Sequence, residues 1–452
     1  MKKAYRGYRS FQYLEPDADY RPFALAAEVD RVPSTPYPLS ENERMRVDAI
    51  FSRHPIVSMH DHTAIFPADM GEVFEYRRQG RDWTGYAGLA ASGVDVFFEN
   101  FMDGTALITS SKGWKWDDIV FDLGMRFSDI AHQDLVYRAE RCADLEDAKP
   151  SGRIAFVACL EAATPIENEI DRVDVLYGLG VRCMGITYSE ANTLGSGLRE
   201  RNDGGLTDLG RAVVRRMDRL GMTIDVAHCG DRTSLEVIEA SEKPILITHA
   251  GARALWDTRR MKPDDVIRAC AAKGGVIAIE AAPHTTLTRA HSEHSLESVM
   301  EHVAYCIDLV GVDHVGLGPD TLFGDHVALH HAFAGPLSLG AIQPGGDVRG
   351  GPIRRRHGEP DRGDASRRRL ARAPRLFGRG HREGRRRQRA PRAPGDLGPL
   401  TERAAMARRV ERPPSYLTRS PGGPLRHASS RCRSRSRTHR RTPADSTAAR
   451  SP

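Results

Sequence analysis

The sequence predicts an α/β protein, built as a distorted (β/α)8 barrel of the TIM type and followed by a disordered basic tail. Three observations predict this fold. Short apolar runs alternate with longer amphipathic segments, this repeat occurs about eight times, and no stretch of about 18 apolar residues is long enough to cross a bilayer. An open doubly wound sheet would show the same alternation, but eight repeats favour a closed barrel.

The apolar runs predict eight strands, and the segments between them predict helices. The predicted strands are 55–59, 93–98, 154–160, 181–187, 223–227, 244–248, 275–279 and 314–318. The predicted helices are 40–50, 114–131, 166–179, 207–220, 234–240, 263–273 and 295–310. Ser40 followed by Glu43 is typical of a capping box, and Gly180, Gly221, Gly274 and Gly311 stand where helices need a left-handed cap.

Charge is distributed very unevenly along the 452 residues, whose formal net charge is +6. Residues 345–452 contain 30 Arg, no Lys and 9 Asp or Glu, and so carry +21, whereas residues 1–344 carry −15. So few large apolar residues cannot offset the entropy of ordering the chain, which predicts a disordered tail. Our hypothesis is that a frameshift near residue 345 of a GC-rich gene replaced the native C-terminus with this Lys-free sequence, and an evolved RNA-binding tail is the alternative.

These features predict the domain organisation and the compartment. We expect an N-terminal segment with a helix over residues 1–50, a barrel over 51–344 and the Arg/Pro-rich tail over 345–452. No apolar segment of a signal peptide follows the start of the chain, so we expect a cytoplasmic protein. The seven cysteines form no CxxC pair, which argues against a disulfide framework and a thiolate zinc site.

Several predicted strands end in a side chain that can bind a metal ion or carry a proton. In a barrel these carboxyl ends open onto one face, where barrel active sites lie. The candidate residues are His60, His62, Glu161, His228, His249 and Asp320. Any one of them alone would be explained as a hydrogen-bonded structural residue or a loop cap. Together, at five strand ends, they indicate a metal site.

His60 and His62 are two residues apart on an extended strand and therefore point the same way. Asp61 is an alternative ligand, but on a strand it should point to the opposite side. Nitrogen and oxygen ligands of this kind suit zinc, with manganese, iron or cobalt as replacements. Four histidines and a bridging Glu161 would provide enough ligands for two metal ions. Asp320 would then carry the proton of the attacking water.

The ordered combination of motifs resembles the zinc-dependent membrane dipeptidase (renal dipeptidase) family of the amidohydrolase superfamily. The resemblance covers roughly residues 45 to 340 and is carried by Met59–His62, Glu161, Gly185–Asn192, Gly205–Gly210, Ile224–His228, Ile247–Ala250 and Val315–Asp320. It implies a barrel that hydrolyses dipeptides with a hydroxide bridging two divalent ions, most simply Zn²⁺. It also implies that Arg260 binds the terminal carboxylate of the substrate.

Two departures from the family pattern affect the expected substrate. The family has His-x-Asp on the first strand, whereas this chain has His60-Asp61-His62, and many members have a histidine where this chain has Tyr188. A phenol can still donate a hydrogen bond to a developing oxyanion. The alternatives are therefore an amidohydrolase acting on another small amide or lactone, or an inactive homologue whose basic tail binds RNA. We expect a small dipeptide substrate and no membrane span; a homodimer is left open.

Overall fold

The computed structural model describes residues 3–31, 37–79, 81–101 and 115–329. Each of the eight predicted strands has a counterpart among the strands of these residues. The strands are β1 (Val57–Asp61), β2 (Ala64–Ile65), β3 (Trp83–Thr84), β4 (Val96–Phe101), β5 (Val136–Arg138), β6 (Ile154–Leu160), β7 (Val181–Gly185), β8 (Thr223–Asp225), β9 (Leu246–Ala250), β10 (Val276–Ile279) and β11 (Val315–Leu317).

Eight of these strands pair in parallel in the order β1-β4-β6-β7-β8-β9-β10-β11. The residues just after β11 bring the ends of this sheet together. The backbone N–H of Asp320 donates to the carbonyl of His60 at 3.0 Å, and that of His62 donates to the carbonyl of Thr321 at 2.9 Å. The sheet is thus a nearly closed parallel barrel. The short strand β5 pairs with β6 outside this order, and β2 and β3 form a separate antiparallel pair, so the sheet departs from a regular eight-stranded barrel.

Helices alternate with the barrel strands as the sequence predicts. They are α1 (Glu41–Arg53), α2 (Val73–Arg78), α3 (Tyr86–Ser92), α4 (Trp116–Ala131), α5 (Cys142–Glu146), α6 (Ala148–Ser151), α7 (Asp171–Gly178), α8 (Asp208–Leu220), α9 (Asp231–Ala240), α10 (Asp264–Ala272) and α11 (Leu296–Val310). Short 3-10 helices span Met70–Glu72, Thr164–Ile166 and Val312–His314. The Ser40–Glu43 capping box starts α1, and Gly221 ends α8 in the left-handed conformation.

One predicted helix begins later than the sequence pattern suggests. The pattern from residue 166 onward predicts a single helix to 179, but α7 starts only at Asp171. A 3-10 turn with Pro165 near its start occupies Thr164–Ile166. The next residue, Glu167, has a positive φ of 54°, which a continuing helix cannot contain. The helix therefore restarts after this break.

The N-terminal segment packs on the barrel around one buried carboxylate, that of Asp129 in α4. This carboxylate accepts hydrogen bonds from the hydroxyls of Tyr8, Ser10 and Tyr86 and from the backbone N–H of Phe11, at 2.7 to 3.0 Å. A buried carboxylate needs several donors to offset the loss of hydration. Asp129 therefore holds residues 8–11 against helix α4.

The main hydrophobic core joins the strands to the surrounding helices. Phe97 of β4 and Phe156 of β6 meet edge to face, with ring centroids 5.4 Å apart, and belong to one buried cluster with Ile119 and Leu123 of α4. Among the described residues, no helix is both long and apolar enough to cross a membrane. The predicted basic tail, residues 345–452, lies outside the described residues, and the proposed domain boundaries stay predictions.

Candidate metal centre

The candidate metal ligands lie together at the carboxyl end of the barrel. His60 lies within β1 and His62 just after it, Glu161 directly follows β6, His228 follows β8, and His249 lies within β9. All five side chains are buried, with His60 and His249 fully inaccessible to solvent. The sequence-based expectation that these strand ends converge is thus met by the fold, and Asp320 joins them after β11.

Glu161 occupies the centre of this group. Its Oε1 atom lies 3.1 Å from Nε2 of His228, 3.5 Å from Nε2 of His249 and 3.9 Å from Nε2 of His60. The Nε2 atoms of His228 and His249 are only 2.9 Å apart. Glu161 belongs to two sets of three residues, one with His60 and His62 and the other with His228 and His249. Within each set, the ligand atoms lie within 4.8 Å of one another.

Asp320 faces the histidines of β1. Its Oδ1 atom is 3.2 Å from Nε2 of His62 and 3.6 Å from Nε2 of His60. Its backbone has a positive φ of 58°, a conformation that aspartate tolerates better than most residues. Asp61 holds this turn in place, because its Oδ1 accepts from both the backbone N–H and the hydroxyl of Thr321. Asp61 thus points to the loop and not to the ligand set.

A threonine and an aspartate orient two of the histidines. The hydroxyl of Thr248 donates to Oδ2 of Asp225 at 2.7 Å, so its oxygen is left to accept from Nδ1 of His249 at 3.0 Å and from Nδ1 of His60 at 3.4 Å. A ring that donates from Nδ1 presents the lone pair of Nε2 to the site. Nδ1 of His62 has a backbone partner instead, the carbonyl of Asn100 at 3.0 Å.

Two glycines allow the strands to approach this closely. A Cβ atom at Gly185, at the end of β7, would lie 2.0 Å from the carbonyl oxygen of Glu161. A Cβ atom at Gly318, just after β11, would lie 1.9 Å from the carbonyl oxygen of Thr248. Both contacts are with backbone, which cannot move aside without displacing a site residue. Only glycine fits at these positions.

Protonation differs between the four histidines. Burial, followed by nearby positive charge, lowers the pKa of His60, His228 and His249 well below the ordinary value, so these rings are neutral, as a metal ligand must be. Burial also opposes the charged form of His62, but its hydrogen bond to Asp320 and the charges of Asp320 and Glu161 raise its pKa to about 9, so an ion bound there would have to displace this proton. Burial opposes the charged form of Asp320 as well, but its hydrogen bond with His62 holds its pKa well below the usual range.

The two residues expected to contact substrate also lie at this site. The ring of Tyr188 stacks on that of His228, with centroids 4.3 Å apart. Arg260 is 5% exposed; its Nη1 donates to the carbonyl of His249 at 2.9 Å, and its Nη2 is paired with the carboxylate of Glu280. The structure therefore brings every predicted site residue to one end of the barrel, while their roles stay predictions.

Sequence reasoning missed Glu280. This residue directly follows β10, is fully buried, and lies in a third ligand-sized group with His249 and Asp320. Burial raises its pKa to about 7, against the effect of Arg260. The signal was present in the sequence, because Glu280 follows the predicted strand 275–279 just as Glu161 follows the predicted strand 154–160.

The residues present fit a divalent metal ion. Nitrogen and carboxylate oxygen atoms converge in a buried space, with no cysteine among them, which suits zinc or a similar first-row ion. Among the described residues, the buried Nε2 of His60 has no hydrogen-bond partner. An unsatisfied buried nitrogen aimed at carboxylates is costly unless a cation completes the site.

Comparison with known proteins gives the same family as the sequence motifs. The model of the membrane dipeptidase family, peptidase family M19, matches residues 125–330. The dipeptidase verJ of Clonostachys rogersoniana is 30% identical over 205 residues, which is 45% of this chain and 51% of that protein. An uncharacterized protein from the pqqA 5' region of Klebsiella pneumoniae is 30% identical over 186 residues, 39% of this chain and 69% of that protein.

Solved structures show the same fold. An amidohydrolase from Pseudomonas aeruginosa superposes with a TM-score of 0.52 at 24% identity, covering 63% of this chain and 80% of that one. A metallopeptidase from Rhodobacter sphaeroides, liganded with a phosphinate mimic of the dipeptide L-Ala-D-Ala, superposes with a TM-score of 0.51 at 18% identity, covering 72% and 94%. At these identities the likeness concerns the barrel alone.

The relatives differ in how much of their own length this chain covers. The alignments span 40% to 51% of the length of the three curated dipeptidases, from Clonostachys rogersoniana, Aspergillus oryzae and Claviceps purpurea. The relative from Klebsiella pneumoniae, in contrast, is covered over more than two thirds of its length. Together with the family model and the barrel, this establishes that the chain belongs to the membrane dipeptidase family, peptidase family M19.

Proposed function

We propose that this protein is a dipeptidase that uses two divalent metal ions, most simply Zn²⁺. One observation carries the proposal: Glu161 lies between two histidine pairs in a buried group, with Asp320 beside it. Membership of the dipeptidase family and the curated relatives named as dipeptidases support it. His60, His62 and Glu161 would hold one ion, and Glu161, His228 and His249 the other.

The metal ions, when bound, would supply an activated water and polarise the peptide carbonyl. The protein supplies the rest. Asp320 lies beside His60 and His62, so its carboxylate would accept the proton of the attacking water and pass it to the leaving amine. Tyr188, stacked on His228, is placed to donate a hydrogen bond to the carbonyl oxygen as negative charge develops. Arg260, which donates to the carbonyl of His249, would contact the carboxyl end of the substrate.

The full-length protein loaded with zinc tests this proposal. It should release free amino acids from some members of a panel of L-L and L-D dipeptides, lose this activity on chelation, and contain two zinc ions per chain by elemental analysis. Glu161→Gln should abolish activity and lower the zinc content. Glu72→Gln, which removes only an exposed carboxylate paired with Arg21, is the matched control. A wild-type protein that binds two ions but cleaves no dipeptide would contradict the proposal.

A further inference from the structure

The pair formed by Arg260 and Glu280 is unusual for a residue expected to bind a substrate carboxylate. Both side chains are buried, Arg260 with 5% exposure and Glu280 with none. Nη2 of Arg260 is paired with Oε2 of Glu280, and Nη1 donates to the carbonyl of His249. Each terminal nitrogen of the guanidinium therefore already donates one hydrogen bond within the protein.

This pair lies beside the candidate metal ligands and not in the outer scaffold of the barrel. A carboxylate oxygen of Glu280 lies within 4.8 Å of ligand atoms of both His249 and Asp320. The second oxygen, Oε1, is buried without a hydrogen-bond partner among the described residues. When ionised beside Arg260, Glu280 thus brings a negative charge to the place where a substrate carboxylate would meet Arg260.

The charge and geometry around Arg260 determine which end group of a substrate can bind there. A guanidinium attracts a carboxylate through its positive charge and through two parallel N–H donors. The Glu280 carboxylate offsets that charge and accepts one of the two N–H groups of Nη2. A second carboxylate would be buried beside both Glu280 and Asp320, and like charges at such short distances repel strongly in a dry site. A neutral group would not meet this repulsion.

We propose that Glu280 is a specificity-determining residue that makes the site favour dipeptides whose carboxyl terminus is uncharged, as an amide or an ester. This inference rests on the proposed function and names its substrate class. The reaction is ordinary hydrolysis: the oxygen of water bonds to the peptide carbonyl carbon, the peptide C–N bond breaks, and the leaving amine takes a proton from that water. The products are an amino acid and an amino acid amide or ester.

Paired substrates test the inference in the zinc-loaded, full-length protein. The pair is L-Ala-L-Ala and its carboxyl-terminal amide, compared through kcat/KM for cleavage of the central peptide bond. The wild type should prefer the amide. Glu280→Gln keeps the shape but frees the charge of Arg260, and should shift the ratio toward the free acid by about 10- to 100-fold, as one charge-assisted hydrogen bond would. Adding Arg260→Gln to this variant should remove the shift.

A binding measurement makes the result independent of turnover. Calorimetry with a phosphinate dipeptide mimic, as the free acid and as the amide, should show the same change of preference in Glu280→Gln. Glu236→Gln is the matched control, because Glu236 also pairs with two arginines, Arg211 and Arg232, but none of the three belongs to the ligand set. This control should leave the acid-to-amide ratio as it is in the wild type.

The outcomes separate the inference from the proposed function. A wild type that cleaves dipeptides but prefers the free acid overturns the inference and keeps the function, even if Glu280→Gln fails to fold. Weaker binding of the free acid in Glu280→Gln also overturns it, because Glu280 would then position Arg260 for a carboxylate. A wild type that cleaves neither substrate, yet binds the amide mimic better than the acid mimic, supports the inference and contradicts the proposed function.

Discussion

His228 and His249 lie inside the segment that the family model matches, residues 125–330, whereas His60 and His62 precede it. We call the first pair the β8–β9 half of the site and the second pair the β1 half. His249 is oriented by the buried Thr248–Asp225 pair, which also reaches His60. His62 relies on a backbone carbonyl and on Asp320. The side-chain network thus reaches one histidine of each half, His249 and His60, and His62 lies outside it.

In the sequence Asp320 belongs to the segment that the family model matches, but in the structure it faces the histidines of the β1 half. Asp320→Asn keeps the shape of the side chain but cannot accept a proton, so kcat should fall by about 10²- to 10⁴-fold. Because Asp320 is not in either ligand set that contains Glu161, the zinc content should stay at two per chain. Steady-state kinetics and elemental analysis measure the two effects. Loss of zinc together with activity would make Asp320 a ligand and would contradict the assigned role.

Thr248 provides the next test, since its hydroxyl links the two halves. Thr248→Val removes the acceptor of His249 and His60 and should weaken metal affinity by about 10- to 100-fold, the usual cost of losing a partner that orients a ligand. Competition with a chelator of known affinity measures this. Thr233→Val is a matched control, because the buried hydroxyl of Thr233 also donates to an aspartate, Asp203, but orients no ligand. Equal affinity losses in both variants would indicate general destabilisation.

The sequence predicted the barrel and the convergence of the candidate ligands for one physical reason. Apolar runs bounded by polar and glycine residues identify strands locally, and the parallel barrel then brings all their carboxyl ends to one face. His60 and Asp320 are 260 residues apart, yet their proximity needs only this rule. The strand β5 has three residues and ends in Arg138, so it offers no such pattern and was not predicted.

The side-chain pairs behind the ligands could not be predicted in this way. The Thr248–Asp225 bond joins β8 to β9, and it depends on how far one strand is shifted along the other. The Arg260–Glu280 pair depends on the path of the loop that follows β9. Neither register nor loop path is encoded in local periodicity, because both are set by packing of the whole barrel. Sequence therefore identifies the strand ends better than it identifies the partners that tune them.

Substitution of His62 has the smallest expected effect and tests the β1 half most directly. The family pattern has aspartate here, so His62→Asp tests whether the surroundings are suited to a carboxylate or to an imidazole. Nδ1 of His62 faces the carbonyl of Asn100, and a carboxylate would bring two acceptors together there. It would also add a negative charge beside Asp320 and Glu161. We therefore expect His62→Asp to bind one of the two zinc ions about tenfold more weakly, as for loss of a partner that orients a ligand.

A second histidine makes this measurement specific. Nδ1 of His314 also bonds a backbone carbonyl, that of Gly275 at 2.8 Å, but His314 lies before β11, at the opposite end of the barrel from the ligands. His314→Asp should therefore weaken the fold without changing zinc affinity. If His62→Asp instead binds zinc as tightly as the wild type, the pocket accepts either ligand, and the β1 half differs from the family pattern in one side chain alone. Weaker zinc binding would show that Asn100 and its strand β4 have adapted to the imidazole.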